Sequence, residues 1–264
     1  MLEPMPSRSP PRGTVKVRAV LFDTFGTVCD FYAPFSRAFS ALAQARGVDC
    51  DAGRLAIEWR TAYVIATATQ AMQESEFVPL RDINRANLEQ LLAQHFPVEV
   101  SAAELETLVD TWEKLEPWPD TIAGLRAIRE LAIIAPLSNG NFADMVRLAR
   151  NAGLPWDIVL GASVSGFYKP HPKTYTGSVA ALALDPAQVC MVAAHQVDLA
   201  FAAGHGMQTA FVPRPDEFGG ATKPRDPEPG ASYIDAAEIY PEGDWTYVAE
   251  DFLDLAAQLR KDCG

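Results

Sequence analysis

The sequence predicts an α/β protein with a doubly wound, Rossmann-like parallel sheet and an inserted helical cap. Three features indicate this fold: an apolar strand that runs into a glycine-containing loop, a long helical stretch directly after it, and a return to alternating strands and helices near Pro117. A chain of 264 residues holds one to two domains at about 150 residues each. Its 48 % hydrophobic and 21 % charged residues are typical of a globular protein.

The first strand is predicted over residues 15–22, because the segment VKVRAVLF is β-branched and nearly continuously apolar in its second half. It runs into the loop Asp23-Thr24-Phe25-Gly26-Thr27. Helical periodicity then predicts four consecutive helices, over residues 33–46, 55–72, 83–95 and 102–115. Because no strand separates these helices, they are predicted to form a cap domain over residues 31–116.

The core domain is predicted over residues 14–30 and 117–264, after a loose tail over residues 1–13. Asp120 is the expected N-cap of a helix that reaches Glu130. Strands are then predicted over residues 131–137, 158–160, 189–194, 209–212 and 247–248. Helices are predicted over residues 142–153, 174–184, 198–203 and 252–260, with Gly153 closing the first of them. Residues 218–245 are rich in Gly, Pro and acids and are predicted to form a surface loop.

Charge and cysteine usage narrow the functional classes. The net charge of −12 argues against sequence-independent binding to nucleic acid or to an anionic membrane, so an anionic substrate must be met by a few local cations. No apolar run approaches the about 18 residues that a membrane span needs. The scattered Cys29, Cys50, Cys190 and Cys263 predict free thiols in a reducing compartment, hence a cytoplasmic protein.

Four polar clusters follow predicted strands or open predicted helices, and they lie at residues 23–27, 138–141, 168–175 and 195–198. Ligands of doubly wound sheets bind beyond the carboxyl ends of the strands, so a carboxylate, a hydroxyl, a lysine and a second carboxylate are expected on one rim. Each cluster alone could consist of ordinary turn residues. The occurrence of all four in this order favours a site.

This order of motifs resembles the haloacid dehalogenase superfamily over residues 15–213. Most members are phosphatases with the motif D-x-D-G-T at the first strand, and the second aspartate of this motif protonates the leaving alkoxide. This chain has Phe25 in place of that aspartate. The fourth cluster, G-D-x-x-x-D in phosphatases, reads Ala194-His195-Gln196-Val197-Asp198 and lacks the first acid. A hard cation depends on such oxygen ligands, so metal-dependent phosphoryl transfer is disfavoured.

The pattern is similar to that of the (S)-2-haloacid dehalogenases, the branch that attacks carbon without a metal or other cofactor. Four motifs of that branch have matches in this chain. The first is matched by Asp23 and Phe25-Gly26-Thr27, the second by Ser138-Asn139-Gly140, the third by Lys169-Pro170 with Tyr175, and the last by Asp198. Arg60 stands where the family carries a cap arginine. The resemblance implies a small 2-haloacid as substrate and is compatible with a homodimer.

For the reaction itself, the resemblance implies that Asp23 attacks Cα of the haloacid, displaces halide with inversion and forms an ester. Lys169 keeps Asp23 ionised. Asp198 orients Lys169 or activates the water that hydrolyses the ester. Arg60 and Asn139 cradle the halide, although Arg60 could instead stack on a neighbouring aromatic ring.

Five further residues receive supporting roles in the same way. Ser138, with backbone N–H groups near Thr24 and Phe25, is expected to bind the substrate carboxylate, although turn chemistry would also explain the serine. Thr27 supports the Asp23 loop through its hydroxyl. Tyr175 hydrogen-bonds within the cluster or is a buried core tyrosine.

The fourth cluster departs from the family, in which many members carry a serine pair, an asparagine and a tryptophan. This chain loses two hydroxyls there and gains His195. We hypothesise that His195 donates a hydrogen bond to a small leaving group such as fluoride; the alternative is a ring satisfied by a backbone carbonyl. Two other functions stay open at this point, a phosphatase of the same superfamily and a non-catalytic binding relative.

Overall fold

The computed structural model describes Arg12 and residues 15–73, 76–225 and 234–263. The strands are β1 (Ala19–Phe22), β2 (Cys29–Asp30), β3 (Glu116–Pro117), β4 (Ile133–Ser138), β5 (Leu160–Gly161), β6 (Val189–Ala193), β7 (Gln208–Phe211) and β8 (Tyr247–Val248). The helices are α1 (Tyr32–Arg46), α2 (Ala52–Gln73), α3 (Leu80–His95), α4 (Ala102–Val109), α5 (Thr121–Arg129), α6 (Phe142–Ala152), α7 (Ala162–Ser165), α8 (Pro172–Ala181), α9 (Gln196–Gly204) and α10 (Phe252–Cys263).

Six strands form one parallel sheet in the order β5-β4-β1-β6-β7-β8, which confirms the predicted fold class. The central strand β1 is buried throughout, as its apolar sequence predicts. Phe22 is in register with Pro136 and Val192, and the N–H of Asp23 donates to the Val192 carbonyl at 2.9 Å. The chain therefore leaves the sheet at Asp23, at the carboxyl edge of its middle.

The helices α1 to α4 lie between β2 and β3, which pair antiparallel with each other. Consecutive helices of this segment pack together, and no strand of the main sheet interrupts them. The predicted helix over residues 102–115 is shorter in the structure, because α4 ends at Val109 and a 3-10 turn, Asp110–Glu113, follows. The division of the chain into a cap domain and a core domain stays a prediction.

Asp120 does not cap the helix that follows it. It occupies the N-cap position of α5 without a capping hydrogen bond from its side chain. Its carboxylate accepts instead from the N–H of Phe252, the first residue of α10, at 2.9 Å, and pairs with Arg214 at 2.7 Å. The reason is close packing of α5 and α10: a Cβ added to Gly124 would lie 2.3 Å from the Cβ of Phe252.

Other element boundaries shift by a few residues. Strand β1 begins at Ala19 rather than at residue 15, and the side chains of Lys16 and Arg18 before it are exposed. Helix α8 spans Pro172–Ala181 instead of residues 174–184. Helix α9 begins before Asp198, with His195 as its N-cap. Gly153 follows α6 with φ +71°, which confirms its predicted role as the closing glycine.

Two predicted segments fall partly outside the described residues. Of the predicted tail, only Arg12 is described, and residues 226–233 of the predicted surface loop are not. The described part of that loop contains no named helix or strand, but Phe218 and Ala237 are buried, so it packs against the core. Cys29, Cys50 and Cys190 are free thiols, as predicted. Among the described helices, none is both long enough and apolar enough to cross a membrane.

Candidate active site

Asp23 lies at the centre of a hydrogen-bonded cluster at the carboxyl edge of the sheet. Its Oδ1 is 2.7 Å from Nζ of Lys169. Its Oδ2 accepts from the hydroxyl of Thr27 at 2.8 Å and lies 2.9 Å from Nδ1 of His195. The Thr27 hydroxyl also accepts from the N–H of Ala194, the residue after β6, at 3.0 Å, and this contact fixes the hydroxyl that donates to Asp23.

Lys169 connects Asp23 to the second predicted carboxylate. Its Nζ lies 2.5 Å from Oδ2 of Asp198, whose Oδ1 accepts from the Tyr175 hydroxyl at 2.7 Å. The backbone N–H of Lys169 donates to Oδ1 of Asn139 at 2.8 Å. The structure therefore brings together side chains from all four predicted clusters.

Charge explains the protonation states in this cluster. Burial favours the neutral acid at Asp23, but the adjacent Lys169 and His195 outweigh it and hold the pKa of Asp23 far below its usual range. Burial likewise disfavours the ammonium of Lys169, but Asp198 and Asp23 raise its pKa. The pKa of Asp198 is raised by burial and by the charge of Asp23. Asp23 is thus an ionised carboxylate beside a cation, and Asp198 takes up a proton more readily than Asp23 does.

His195 is held between two carboxylates. Its Nδ1 faces Asp23, and its Nε2 lies 2.8 Å from Oε1 of Glu217. Burial opposes the charged ring, but Glu217 and Asp23 raise the pKa of His195 to about 10. Because both ring nitrogens are engaged, neither is available to a leaving group. The hypothesis that His195 donates to a leaving halide is therefore wrong for this geometry. The alternative, a ring held by a backbone carbonyl, is wrong as well, because the partners of the ring are the carboxylates of Asp23 and Glu217.

Glu217 is the functional candidate that the sequence analysis missed. It is buried and lies in the loop after β7, beyond the segment covered by the family resemblance. No motif marks it, but the rule that ligands meet the carboxyl ends of strands applies to the loop after β7 as well. Had the loop after every strand been searched for polar residues, Glu217 would have been among the candidates.

Arg60 reaches the site from α2. Its guanidinium lies over the rings of Tyr63 and Phe31, 4.8 Å and 5.4 Å from their centroids, and Nη2 donates to the carbonyl of Phe25 at 3.3 Å. Nε and Nη1 are buried, and among the described residues they have no hydrogen-bond partner. Arg60 therefore stacks on aromatic rings and also keeps two donor nitrogens with which it can meet an anion.

A cavity of about 440 Å³ opens beside these groups. Its wall combines the polar cluster with apolar side chains, among them Val64, Phe201 and Phe218. Seven of the predicted site residues line it: Asp23, Arg60, Asn139, Lys169, Tyr175, His195 and Asp198. Tyr63 of α2 also lines it, whereas Trp59 of the same helix is fully buried and donates to the Asn84 carbonyl.

The other four predicted residues lie behind the cavity wall. Ser138 is fully buried, and its hydroxyl accepts from the N–H of Gly140 at 3.1 Å. Thr24 and Thr27 are also fully buried, so neither side chain faces the cavity. Direct contact between Ser138 and a substrate is therefore not supported. Its hydrogen bond fixes the turn that carries Asn139.

The Phe25 ring fills the position at which phosphatases carry their second acid. It packs edge-on against Tyr63 and Trp112, with centroids 5.7 Å and 5.1 Å away. An apolar ring in this contact can neither donate a proton nor bind a cation through oxygen. Within the described residues, His, Cys, Asp and Glu form no group of three or more that could hold a metal ion.

Comparison with known proteins shows similarity to one family of hydrolases. A family model of haloacid dehalogenase-like hydrolases matches residues 17–206. The (S)-2-haloacid dehalogenase 4A of Burkholderia cepacia is 28 % identical over 205 residues, which cover 75 % of this chain and 84 % of that protein.

Solved structures extend the similarity to almost the whole chain. The defluorinating L-2-haloacid dehalogenase Rha0230 is 38 % identical, with a TM-score of 0.84 over 96 % of this chain and 99 % of that one. The L-2-haloacid dehalogenase PA0810 is also 38 % identical, with a TM-score of 0.80 over 93 % and 99 % of the two chains. The L-2-haloacid dehalogenase of Xanthobacter autotrophicus shares the fold, with a TM-score of 0.72 at 23 % identity over 92 % and 98 %.

Proposed function

The chain belongs to the haloacid dehalogenase-like hydrolases, and on that premise we propose that it hydrolyses short (S)-2-haloalkanoic acids to 2-hydroxy acids through an ester of Asp23. The observation that carries this proposal is the ionised, cavity-lining carboxylate of Asp23, 2.7 Å from the Lys169 ammonium. Such a carboxylate is a nucleophile at neutral pH without a base to activate it.

In the first step, a carboxylate oxygen of Asp23 forms a bond to Cα of the substrate while the carbon–halogen bond breaks. The halide leaves with the bonding electron pair, and attack from the opposite side inverts Cα. Arg60 supports this step, because its two unpartnered donors can stabilise the charge that develops on the halide. Asn139, on the cavity wall, is the second halide contact of the proposal.

In the second step, water attacks the carbonyl carbon of the ester. We assign the base to Asp198, because its raised pKa suits proton transfer and because Lys169 and Tyr175 fix both of its oxygens. Its partners allow Asp198 to take a proton without leaving its place beside Asp23.

A single turnover in ¹⁸O-labelled water tests the proposal. The enzyme in excess over 2-chloropropionate should release chloride, and the heavy oxygen should appear in the peptide that contains Asp23 instead of in lactate. Label in the product alone would show that water attacks Cα directly and would refute the ester. A protein that releases no halide would instead be a binding relative.

The variant Asp23→Asn should release no halide above the uncatalysed background, because an amide is neither anionic nor nucleophilic. Circular dichroism and the urea midpoint establish that the variant is folded. Activity at the parent's rate would contradict the assignment of Asp23. Phosphate-ester turnover that depends on added Mg²⁺ would support the phosphatase alternative.

The proposal extends to haloacetates, including fluoroacetate. Arg60 can offer hydrogen bonds to fluoride, which accepts them more strongly than larger halides do, and a relative 38 % identical is a defluorinating enzyme. Fluoride and chloride release are compared on fluoroacetate and chloroacetate at equal concentration. We expect both ions from the parent, while chloride release without detectable fluoride would remove fluoroacetate from the proposal.

A further inference from the structure

We infer that His195, held by Glu217, forms with Thr27 an oxyanion hole for hydrolysis of the Asp23 ester. The inference deepens the proposed function and rests on it, since it concerns the second step of the same reaction. It assigns His195 as a catalytic residue, because the ring contacts a reacting oxygen, and Glu217 as a positioning residue that acts through the ring.

The two oxygens of Asp23 have unequal surroundings. Oδ2 accepts from Thr27 at 2.8 Å and from His195 at 2.9 Å, so both of its lone pairs are engaged. Oδ1 has Lys169 as its partner, at 2.7 Å, and keeps one lone pair. Oδ1 is therefore the oxygen that attacks the substrate, and Oδ2 becomes the carbonyl oxygen of the ester.

Hydrolysis then places negative charge on the oxygen that already has two donors. The water oxygen bonds to Cγ of Asp23, the π electron pair moves to Oδ2, and one water proton passes to Asp198. When the pair returns, the Cγ–Oδ1 bond breaks, and the departing alkoxide of the hydroxy acid takes the proton from Asp198. The second water proton is released to solvent, which restores the Asp23 carboxylate. Donors already aimed at Oδ2 stabilise the oxyanion without reorganisation.

Glu217 is needed because Asp23 loses its charge when it becomes an ester. The ring of His195 then keeps one anionic partner in direct contact, Glu217, which is 1 % exposed. The other charged groups around the ring are Lys169 and Asp198, next to Asp23, and Glu238, whose pKa the ring helps to lower. Glu217 thus keeps the second proton on the ring during the step in which the ring must donate.

The loop after β1 is shaped for this contact. Gly26 has φ +93°, and a Cβ there would lie 2.0 Å from Oε1 of Glu217. A side chain at position 26 would therefore displace the carboxylate from the ring. Gly26 allows Glu217 to pack directly behind the loop that carries Asp23.

The variant His195→Gln separates the two steps. In rapid-quench experiments with 2-chloropropionate, we expect about one equivalent of chloride per site in the first turnover, followed by turnover about 10²-fold slower than the parent's. Intact-mass measurement should show the ester accumulating on the protein. First-turnover chloride release that slows as much as steady-state turnover, without accumulated ester, would overturn the inference.

The variant Glu217→Gln tests the positioning role, because an amide can still accept from the ring but carries no charge. The ring should lose its second proton at lower pH, so the alkaline fall of the hydrolysis rate should begin at least one pH unit below the parent's. The matched control is Asp216→Asn, which removes the same charge from an exposed neighbour and should keep the parent's profile. Equal profiles in parent and Glu217→Gln would overturn the role of Glu217.

These outcomes are distinct from a failure of the proposed function. If the parent enzyme releases no halide or places no ¹⁸O in Asp23, the ester mechanism itself fails. If the parent does both and His195→Gln accumulates no ester, the oxyanion hole alone is refuted.

Discussion

Lys169 decides the charge state of the site, because it lies between two carboxylates in a buried cluster. Its Nζ is 2.7 Å from Asp23 and 2.5 Å from Asp198, and its side chain is 9 % exposed. Without the ammonium, two like charges would face each other in a region of low polarity, and the pair would retain a proton. Asp23 is therefore ionised because the charge of Lys169 offsets the cost of burial.

The variant Lys169→Met should lower activity at neutral pH by at least about 10²-fold. The pKa of Asp23 is held low, so the first step, which needs its carboxylate, persists far into acid, and loss of Lys169 should move the acid limb of this step upward by more than about one unit. First-turnover chloride release as a function of pH measures this limb, because steady-state turnover also depends on Asp198, whose pKa is raised. Lys173→Met, which removes an exposed cation from α8, is the control and should keep the parent's acid limb. An unmoved limb in Lys169→Met would contradict this account.

Individual residues were predictable where a motif marked them. Asp23, Lys169 and Asp198 follow strands or open helices in a fixed order, and the structure joins them within hydrogen-bond distance. Glu217 was not predictable in this way, because its partner His195 lies in a different loop and contact between loops has no local signature. The direct substrate contact predicted for Ser138 was not supported, because burial depends on the packing of neighbouring elements and not on the motif.

At the level of elements, the junction of α5 and α10 shows how packing overrides intrinsic preference. Gly124 lies inside α5, where helix propensity alone would favour alanine by about 1 kcal/mol. In the structure, an added Cβ would lie 2.3 Å from the Cβ and 2.8 Å from the backbone carbon of Phe252. The same close approach lets Asp120 accept from the N–H of Phe252.

The variant Gly124→Ala should therefore lower the free energy of unfolding by about 1–2 kcal/mol, because overpacking outweighs propensity. Urea unfolding measures it. Gly177→Ala in α8 is the matched control, since its Cβ would meet Ser165 at an ordinary 3.7 Å. The control should gain up to about 1 kcal/mol. A gain in both variants would show that α10 yields to the added methyl group.

For the whole molecule, the helical segment of α1 to α4 is attached to the sheet by specific polar contacts. The N–H of Leu80 donates to Oδ1 of Asn141 at 2.7 Å, and the hydroxyl of Tyr168 donates to the Val78 carbonyl at 2.6 Å. Glu113 bridges the two parts, with Arg81 of α3 at 3.2 Å and Arg147 of α6 at 2.5 Å. Arg60 lies on α2 of the same helical segment and lines the cavity.

The variant Glu113→Gln should weaken the junction and lower the free energy of unfolding by about 1–2 kcal/mol, because it removes the charge of a largely buried carboxylate that pairs with two partly exposed arginines. Amide hydrogen exchange in α3 should become faster, which locates the effect. Glu89→Gln breaks an exposed pair with Arg85 inside α3 and should cost no more than about 0.5 kcal/mol. Equal effects of the two variants would contradict a junction role for Glu113.

The sequence by itself determined the fold class, the helical insertion and most members of the candidate site. Apolar periodicity reports which faces are buried, and parallel strands bring their carboxyl ends to one edge, so residues far apart in the chain are expected together. The tertiary structure decided the contacts between loops: Glu217 behind His195, Asp120 on α10, and Ser138 behind the cavity wall. These contacts depend on the distance and angle at which packed elements meet, and such distances leave no trace in the local order of residues.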